Sequence, residues 1–167
     1  RRDGSKLVVL ENSRAVRDDD GRALFYEGTL TDITAAHALS EQLSHDASHD
    51  PLTGLKNRRE FEVQLQHALE LTHATGTTHA ICFMDLDRFK VINDVLGHAA
   101  GDELLASAAQ RIANAVGTEG LVARFGGDEF LVVCNIADDA QRPERIAAAI
   151  LHSMADSFRF DNEEFTI

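Results

Sequence analysis

The sequence predicts an α/β fold, a sheet with an antiparallel hairpin beside a central strand and helices flanking it. Three observations support this. Ala80-Ile81-Cys82-Phe83-Met84 is a continuous apolar run of strand length, the pattern of a strand buried on both faces. Gly126-Gly127 separates two apolar runs, Leu121–Phe125 and Asp128–Cys134, which reads as a hairpin with a two-residue loop. From Asp50 onward the order is helix, strand, helix, helix, hairpin, helix, strand, the alternation of a mixed α/β layer.

Size and charge bound the function. At 167 residues and 44% hydrophobic content, the chain holds one domain, or one domain and a fragment, with enough apolar mass for a core. Its formal net charge of -12 lacks the electrostatic footprint needed to hold a nucleic-acid duplex or an anionic membrane. Aromatic content of 6%, with no Trp and one Tyr, argues against a base-stacking surface for single strands. A phosphorylated small molecule would need its charge neutralised, and a divalent cation on carboxylates would do this. Cys82 and Cys134 lie far apart in apolar runs, which suits buried, reduced thiols and a cytoplasmic protein. No apolar run reaches the roughly 18–20 residues of a membrane span, and the N-terminus has no signal-peptide pattern.

Residues 1–34 read as β structure. Apolar patches at Lys6–Leu10 and Ala15–Val16 lead into the turn Asp18-Asp19-Asp20-Gly21, and Arg22–Thr31 then alternates, with Leu24, Tyr26, Gly28 and Leu30 on one face. The stretch is too short for a core of its own. From Asp32 to Ser48 the pattern is helical, with Thr34 or Asp32 as N-cap. Ile33, Ala36, Ser40, Leu43 and Ala47 recur at alternating spacings of three and four, which suits either a weak two-stranded coiled coil or an ordinary linker helix. His45 and His49 share a face at i,i+4 but lack a third ligand nearby, so they are read as solvent-facing.

The turn-rich segment Asp50-Pro51-Leu52-Thr53-Gly54-Leu55 precedes a helix predicted over Arg58–Thr72, with Phe61, Leu65, Ala68 and Leu69 on one face and Gly76 as its stop. After the strand at Ala80–Met84, helices are predicted over Phe89–Leu96 and Asp102–Val116. After the hairpin a helix is predicted over Ala140–Phe158, with Pro143 in its first turn. A strand then begins at Phe165-Thr166-Ile167.

Acid appears abruptly at two strand ends. Asp85 follows the apolar run, and Asp128 and Glu129 follow the glycine pair, where absent side chains would let a phosphate chain approach the backbone. If the hairpin pairs beside the central strand, Asp85 and Asp128 face one another at the sheet edge. Two carboxylates that close repel unless a cation or proton lies between them. Mg²⁺ suits the site, because it binds one or two carboxylates and completes its shell with water and phosphate oxygens.

Three motifs in this order, DPLTGLKNR over Asp50–Arg58, DLDRFKVINDVLGHAAGDELL over Asp85–Leu105 and RFGGDEF over Arg124–Phe130, closely resemble the GGDEF domain of diguanylate cyclases. The resemblance implies a polymerase-palm-like (ferredoxin-like) α/β fold, with a central mixed sheet flanked by helices. It also implies condensation of two GTP into cyclic di-GMP with release of pyrophosphate. Asp85 and Asp128 correspond to the metal-binding carboxylates, with the Leu86 carbonyl as a further ligand for Mg²⁺ (or Mn²⁺). Glu129 corresponds to the second acid needed for turnover. Asn93 and Asp102 correspond to the guanine readers, and a carboxylate can accept from both N1–H and the 2-amino group of guanine, whereas adenine presents an acceptor at N1. Asn93 and Asp102 can equally be read as helix caps. Phe89 and Lys90 correspond to the segment around the β- and γ-phosphates, with Gly126 and Gly127 permitting close backbone approach. The implied mechanism is two-metal phosphoryl transfer at a homodimer interface, each domain holding one GTP.

The N-terminal piece, ending in Asp32-Ile33-Thr34, resembles the last strands of a PAS sensor domain. The expected organisation is a PAS fragment over 1–34, a signalling linker helix over 35–49 and a GGDEF domain over 50–167 without its C-terminal part. In the family a strand, a helix with basic phosphate-binding residues and a closing strand come next, so the 167-residue piece is expected to show weak or no activity in isolation. Further domains are expected in the parent chain. Gly117-Thr118-Glu119-Gly120 stands where many members carry an Arg-x-x-Asp product-inhibition site, so that feedback is expected to be absent. Lys56 stands where Pro is usual, with little expected effect. The competing expectation is a non-catalytic, GTP-binding GGDEF domain that controls a neighbouring phosphodiesterase domain. A pure dimerisation module fits less well with the retained acids.

Overall fold

The computed structural model describes residue 4, residues 6–160 and residues 163–165, and the chain divides into two units, Arg1–Ala47 and Ser48–Ile167. In the first unit, β1 (Val9–Arg17) and β2 (Ala23–Asp32) form an antiparallel hairpin whose register runs from Val9↔Asp32 to Arg17↔Ala23. The turn forms as the Asp and Gly residues predict. The Asp18 Oδ1 accepts from the amides of Asp20 (3.1 Å) and Arg22 (2.8 Å), and Gly21 takes φ 81°. Leu24, Tyr26 and Leu30 share one face and all are exposed. Helix α1 (Thr34–Ser48) starts where Asp32 Oδ1 accepts from the Thr34 amide at 2.9 Å. It buries none of its residues, and Leu39 and Leu43 are exposed.

The second unit is built around a mixed four-stranded sheet in the order β3-β5-β6-β4. Here β3 (Lys56–Asn57) runs parallel to β5 (Leu121–Gly126), while β6 (Glu129–Asn135) is antiparallel to both β5 and β4 (His79–Asp85). The strand buried on both faces is β6. Its Phe130, Val132 and Cys134 face α4 (His98–Val116) and α5 (Arg142–Met154), and its Leu131 and Val133 face Phe61 and Leu65 of α2 (Arg58–Thr75). The expectation that Ala80–Met84 is the central strand is therefore corrected. Among the described residues β4 lies at the sheet edge, with Ile81 48% and Phe83 59% exposed. An apolar run specifies burial only through what packs on it, and α2 covers β5 and β6 rather than β4.

Most helices form where their periodicity predicts them. Asn57 caps α2 by accepting from the Glu60 amide at 2.9 Å, and Gly76 ends it at φ 74°. Helix α3 (Phe89–Leu96) is followed at once by α4, which starts at His98 rather than at Asp102. Asn93 and Asp102 thus lie inside helices, which removes the reading of either as a cap. Helix α5 is shorter than predicted and leads to a second hairpin, β7 (Phe158–Phe160) with β8 (Glu163–Phe165). Arg111 of α4 holds the intervening loop. Its guanidinium donates to the carbonyls of Ser153 (3.1 Å) and Ser157 (2.8 Å) and stacks 3.7 Å from the Phe158 ring. The expected strand residues Thr166 and Ile167 lie outside the described residues. Among the described residues no helix is long and apolar enough to cross a membrane.

Candidate active site

One end of the sheet gathers the acids. Strand pairing sets Asp85, the last residue of β4, directly opposite Glu129, the first of β6. Cross-strand partners project from the same face, so these two carboxylates are neighbours. Asp128 is displaced from the expected position opposite Asp85. The two-residue loop is Gly127-Asp128, because Gly126 still pairs with Glu129 and the register slips by one residue between Arg124 and Gly126. This bulge adds Phe125 to the β5 side and carries Asp128 to the tip of the turn. Gly127 takes φ 54°, a left-handed conformation that glycine adopts at no steric cost. A side chain at Gly126 or Gly127 would meet nothing within 4 Å, so the turn presents bare backbone to its surroundings.

Beyond Asp85 the backbone bends sharply. Leu86 is buried and its carbonyl accepts from the Phe89 amide at 3.3 Å, leaving one lone pair of that oxygen for another partner. Arg88 adopts φ 61°, the only non-glycine residue with positive φ among the described residues, and α3 starts right after it. Phe89 and Lys90 therefore occupy the first turn of α3, next to the acidic rim, and Asn93 lies one turn further along the Phe89 face. Asp102 lies in the first turns of α4 and is exposed.

Among the described residues none of Asp85, Asp128 and Glu129 is in an ion pair, and no cluster of three or more His, Cys, Asp or Glu side chains is close enough to hold a metal. A donor set of hard carboxylate oxygens with a free carbonyl lone pair suits Mg²⁺, which takes few protein ligands. Cys134 lies elsewhere in the core, where burial raises its thiol above its usual pKa, with Cys82 a lesser contributor. This accords with an unreactive thiol at Cys134, whereas Cys82 is only half-buried.

Two residues that shape the site were not singled out from the sequence. Arg124 of β5 donates through Nε (2.9 Å) and one terminal nitrogen (2.7 Å) to the Gly127 carbonyl, and through the other to both oxygens of Asp50 (3.1 and 3.2 Å). It therefore clamps the glycine turn and ties it to the Asp50–Gly54 turn before β3. Asp50 also accepts from the Thr53 amide (2.9 Å) and hydroxyl (2.7 Å). Burial by itself would raise the Asp50 pKa, but the hydrogen bonds from Thr53 and Arg124, with the charge of Arg124, outweigh it and lower the value. Lys56 also has a partner, its ammonium lying 3.0 Å from Nε2 of His49, whose Nδ1 lies 2.9 Å from the Ser48 hydroxyl.

The Asp50 network gives a pH prediction. A carboxyl whose folded-state pKa is depressed stabilises the fold above its unfolded value, about 4, and that stability is lost as pH falls through the lower folded value. Asp50→Ala is therefore expected to cost about 1.5–3 kcal/mol at neutral pH in urea unfolding. The gap to the native protein should close as pH drops below about 4. A gap that stays constant into acid would show that Asp50 acts through packing alone.

The sequence profile described as "Diguanylate cyclase, GGDEF domain" matches residues 47–167 of this chain. The chain belongs to the GGDEF family. It is 43% identical over 124 residues to the probable diguanylate cyclase DgcE of Escherichia coli, an alignment covering 72% of this chain and 11% of DgcE. It is 45% identical over 107 residues to the cyclic di-GMP phosphodiesterase PdeB of Shewanella oneidensis, covering 64% of this chain and 12% of PdeB. The chain thus spans only a small part of these GGDEF relatives. The coiled coil and GGDEF domain of DgcB from Caulobacter crescentus, solved in complex with c-di-GMP, superposes with TM-score 0.72 at 26% identity, covering 79% of this chain and 69% of that one. The sheet and helix order described above are therefore the GGDEF-like α/β fold.

Proposed function

We propose that this chain is the nucleotide-condensing module of a diguanylate cyclase, which joins two GTP into cyclic di-GMP. The observation that carries the reading is the register pairing of Asp85 with Glu129 beside the bulged Gly126-Gly127-Asp128 turn, an acidic rim whose carboxylates make no ion pair among the described residues. The cyclase names of GGDEF relatives and the c-di-GMP bound to a solved neighbour support it. Asp85, Asp128 and the Leu86 carbonyl would hold Mg²⁺ (or Mn²⁺), and Glu129 is the second acid needed for turnover. Bound Mg²⁺ supplies charge neutralisation for the triphosphate and polarises the attacked phosphoryl group. Asn93 and Asp102 read the guanine, Phe89 and Lys90 line the β- and γ-phosphates, and the bare Gly126-Gly127 backbone lets the triphosphate lie close. The 3′-oxygen of each GTP bonds to the α-phosphorus of the other, the bond from each α-phosphorus to its bridging β-phosphate oxygen breaks, and two pyrophosphates leave while the two hydroxyl protons pass to solvent.

One such module holds one GTP, so the reaction needs two facing copies. The exposed Leu39 and Leu43 of α1 suit a helix that pairs with its counterpart in a second copy. We assign residues 1–34 to the end of a PAS sensor domain, 35–49 to a signalling helix and 50–167 to the GGDEF domain, in a cytoplasmic protein with further domains. The phosphodiesterase relative favours a second reading, a GTP-binding GGDEF domain that regulates a neighbouring phosphodiesterase. Incubation of the full-length gene product with GTP and Mg²⁺ is expected to yield cyclic di-GMP and pyrophosphate. Binding of GTP without product would favour the regulatory reading, and no binding at all would overturn both.

A further inference from the structure

We infer that Gly101 is a positioning residue for base recognition, where the missing side chain leaves room for the Asn93 amide to lie against the first turn of α4 beside Asp102. The inference rests on the guanine-reading role proposed above for Asn93 and Asp102. Gly101 is buried inside α4, where glycine is a poorer helix former than alanine, so local propensity does not account for it. It is not among the glycines of positive φ, so no special backbone conformation accounts for it either. Space does. A Cβ at Gly101 would lie 2.0 Å from Asn93 Oδ1, 2.9 Å from its Cγ and 3.3 Å from its Nδ2. The three nearest atoms thus all belong to one amide group, carried by the half-buried Asn93 of α3.

The obstruction is a short side chain that can rotate away. A methyl group at this position would therefore leave α4 intact and move the Asn93 amide. The chemistry makes that move consequential. An amide offers a donor and an acceptor, whereas the Asp102 carboxylate only accepts. Guanine presents acceptors at N7 and O6 as well as the donors N1–H and the 2-amino group. Asp102 alone can engage the donors, and only an amide held beside it can also serve an acceptor. Gly101 is thus the residue through which the helix pair sets the spacing of the two readers, and it acts as a positioning residue without touching the base.

The test uses the full-length gene product and the variants Gly101→Ala, Asn93→Ala and the double substitution, with GTP as the probe. Gly101→Ala is expected to keep or raise the thermal unfolding midpoint while weakening GTP binding about tenfold or more, the scale of one hydrogen bond to a ligand. Asn93→Ala should lose a similar factor. In the Asn93→Ala background, Gly101→Ala should add no further loss, because the clashing group is gone. Gly101→Ala with native affinity, a lowered midpoint, or an equal loss in both backgrounds would overturn the inference and leave the proposed function standing. If the native protein binds no GTP, or Asn93→Ala binds it as well as the native protein does, the base-reading role falls and this inference with it.

Discussion

Asp85→Asn is expected to abolish cyclic di-GMP formation while leaving the protein slightly more stable. The side chain is exposed at the end of β4 and faces Glu129 across the ladder, so two like charges stand side by side. Directly opposed like charges destabilise a sheet, and neutralising one should return about 0.2–1 kcal/mol in denaturant unfolding. Turnover should fall by on the order of 10³ or more, because the charge that would hold Mg²⁺ against the triphosphate is gone. Glu129→Gln should behave alike, since it relieves the same repulsion. Added Mg²⁺ should raise the unfolding midpoint of the native protein and not that of Asp85→Asn. A variant that loses stability and activity together would place Asp85 in the architecture rather than in the chemistry.

Arg124→Ala is expected to damage both fold and turnover. The substitution removes two hydrogen bonds to the Gly127 carbonyl and leaves the Asp50 carboxylate, 19% exposed, without its cation. Removing one partner of a largely buried pair costs about 3 kcal/mol or more. The turn carrying Asp128 also loses its anchor, and a displacement of about 1 Å at a reacting site can cost a further 10²-fold in rate. Arg124→Lys should rescue little, because a single ammonium cannot reach Asp50 and grip the Gly127 carbonyl through a planar fork. Full activity and stability in Arg124→Lys would show that only the charge matters.

Much of the domain was legible in sequence because its signals are local. The Asp18–Gly21 turn, the Gly76 stop of α2 and the bounds of α3 depend on residues within a few positions of one another. Other features depend on distance. The apolar content of Ala80–Met84 reads as a central strand, yet β6 occupies the centre because α2 and the α4/α5 pair both pack on it. The glycine turn was expected one residue too early, since the bulge at Phe125 arises from pairing with β6 and leaves no composition signal.

Local pattern by itself determined the bounds of α3, the two strands that flank the glycine turn, where acid meets apolar sequence, and which motifs place the chain in its family. Only the tertiary structure decided that Asp85 stands opposite Glu129 with Asp128 at the turn tip. It alone revealed that Arg124 and Asp50, separated by 74 positions, hold that turn, and that Gly101 makes room for Asn93. The physical reason is that propensities and caps act within a turn or two of chain, whereas register, clamping and clearance are set by the mutual packing of distant elements.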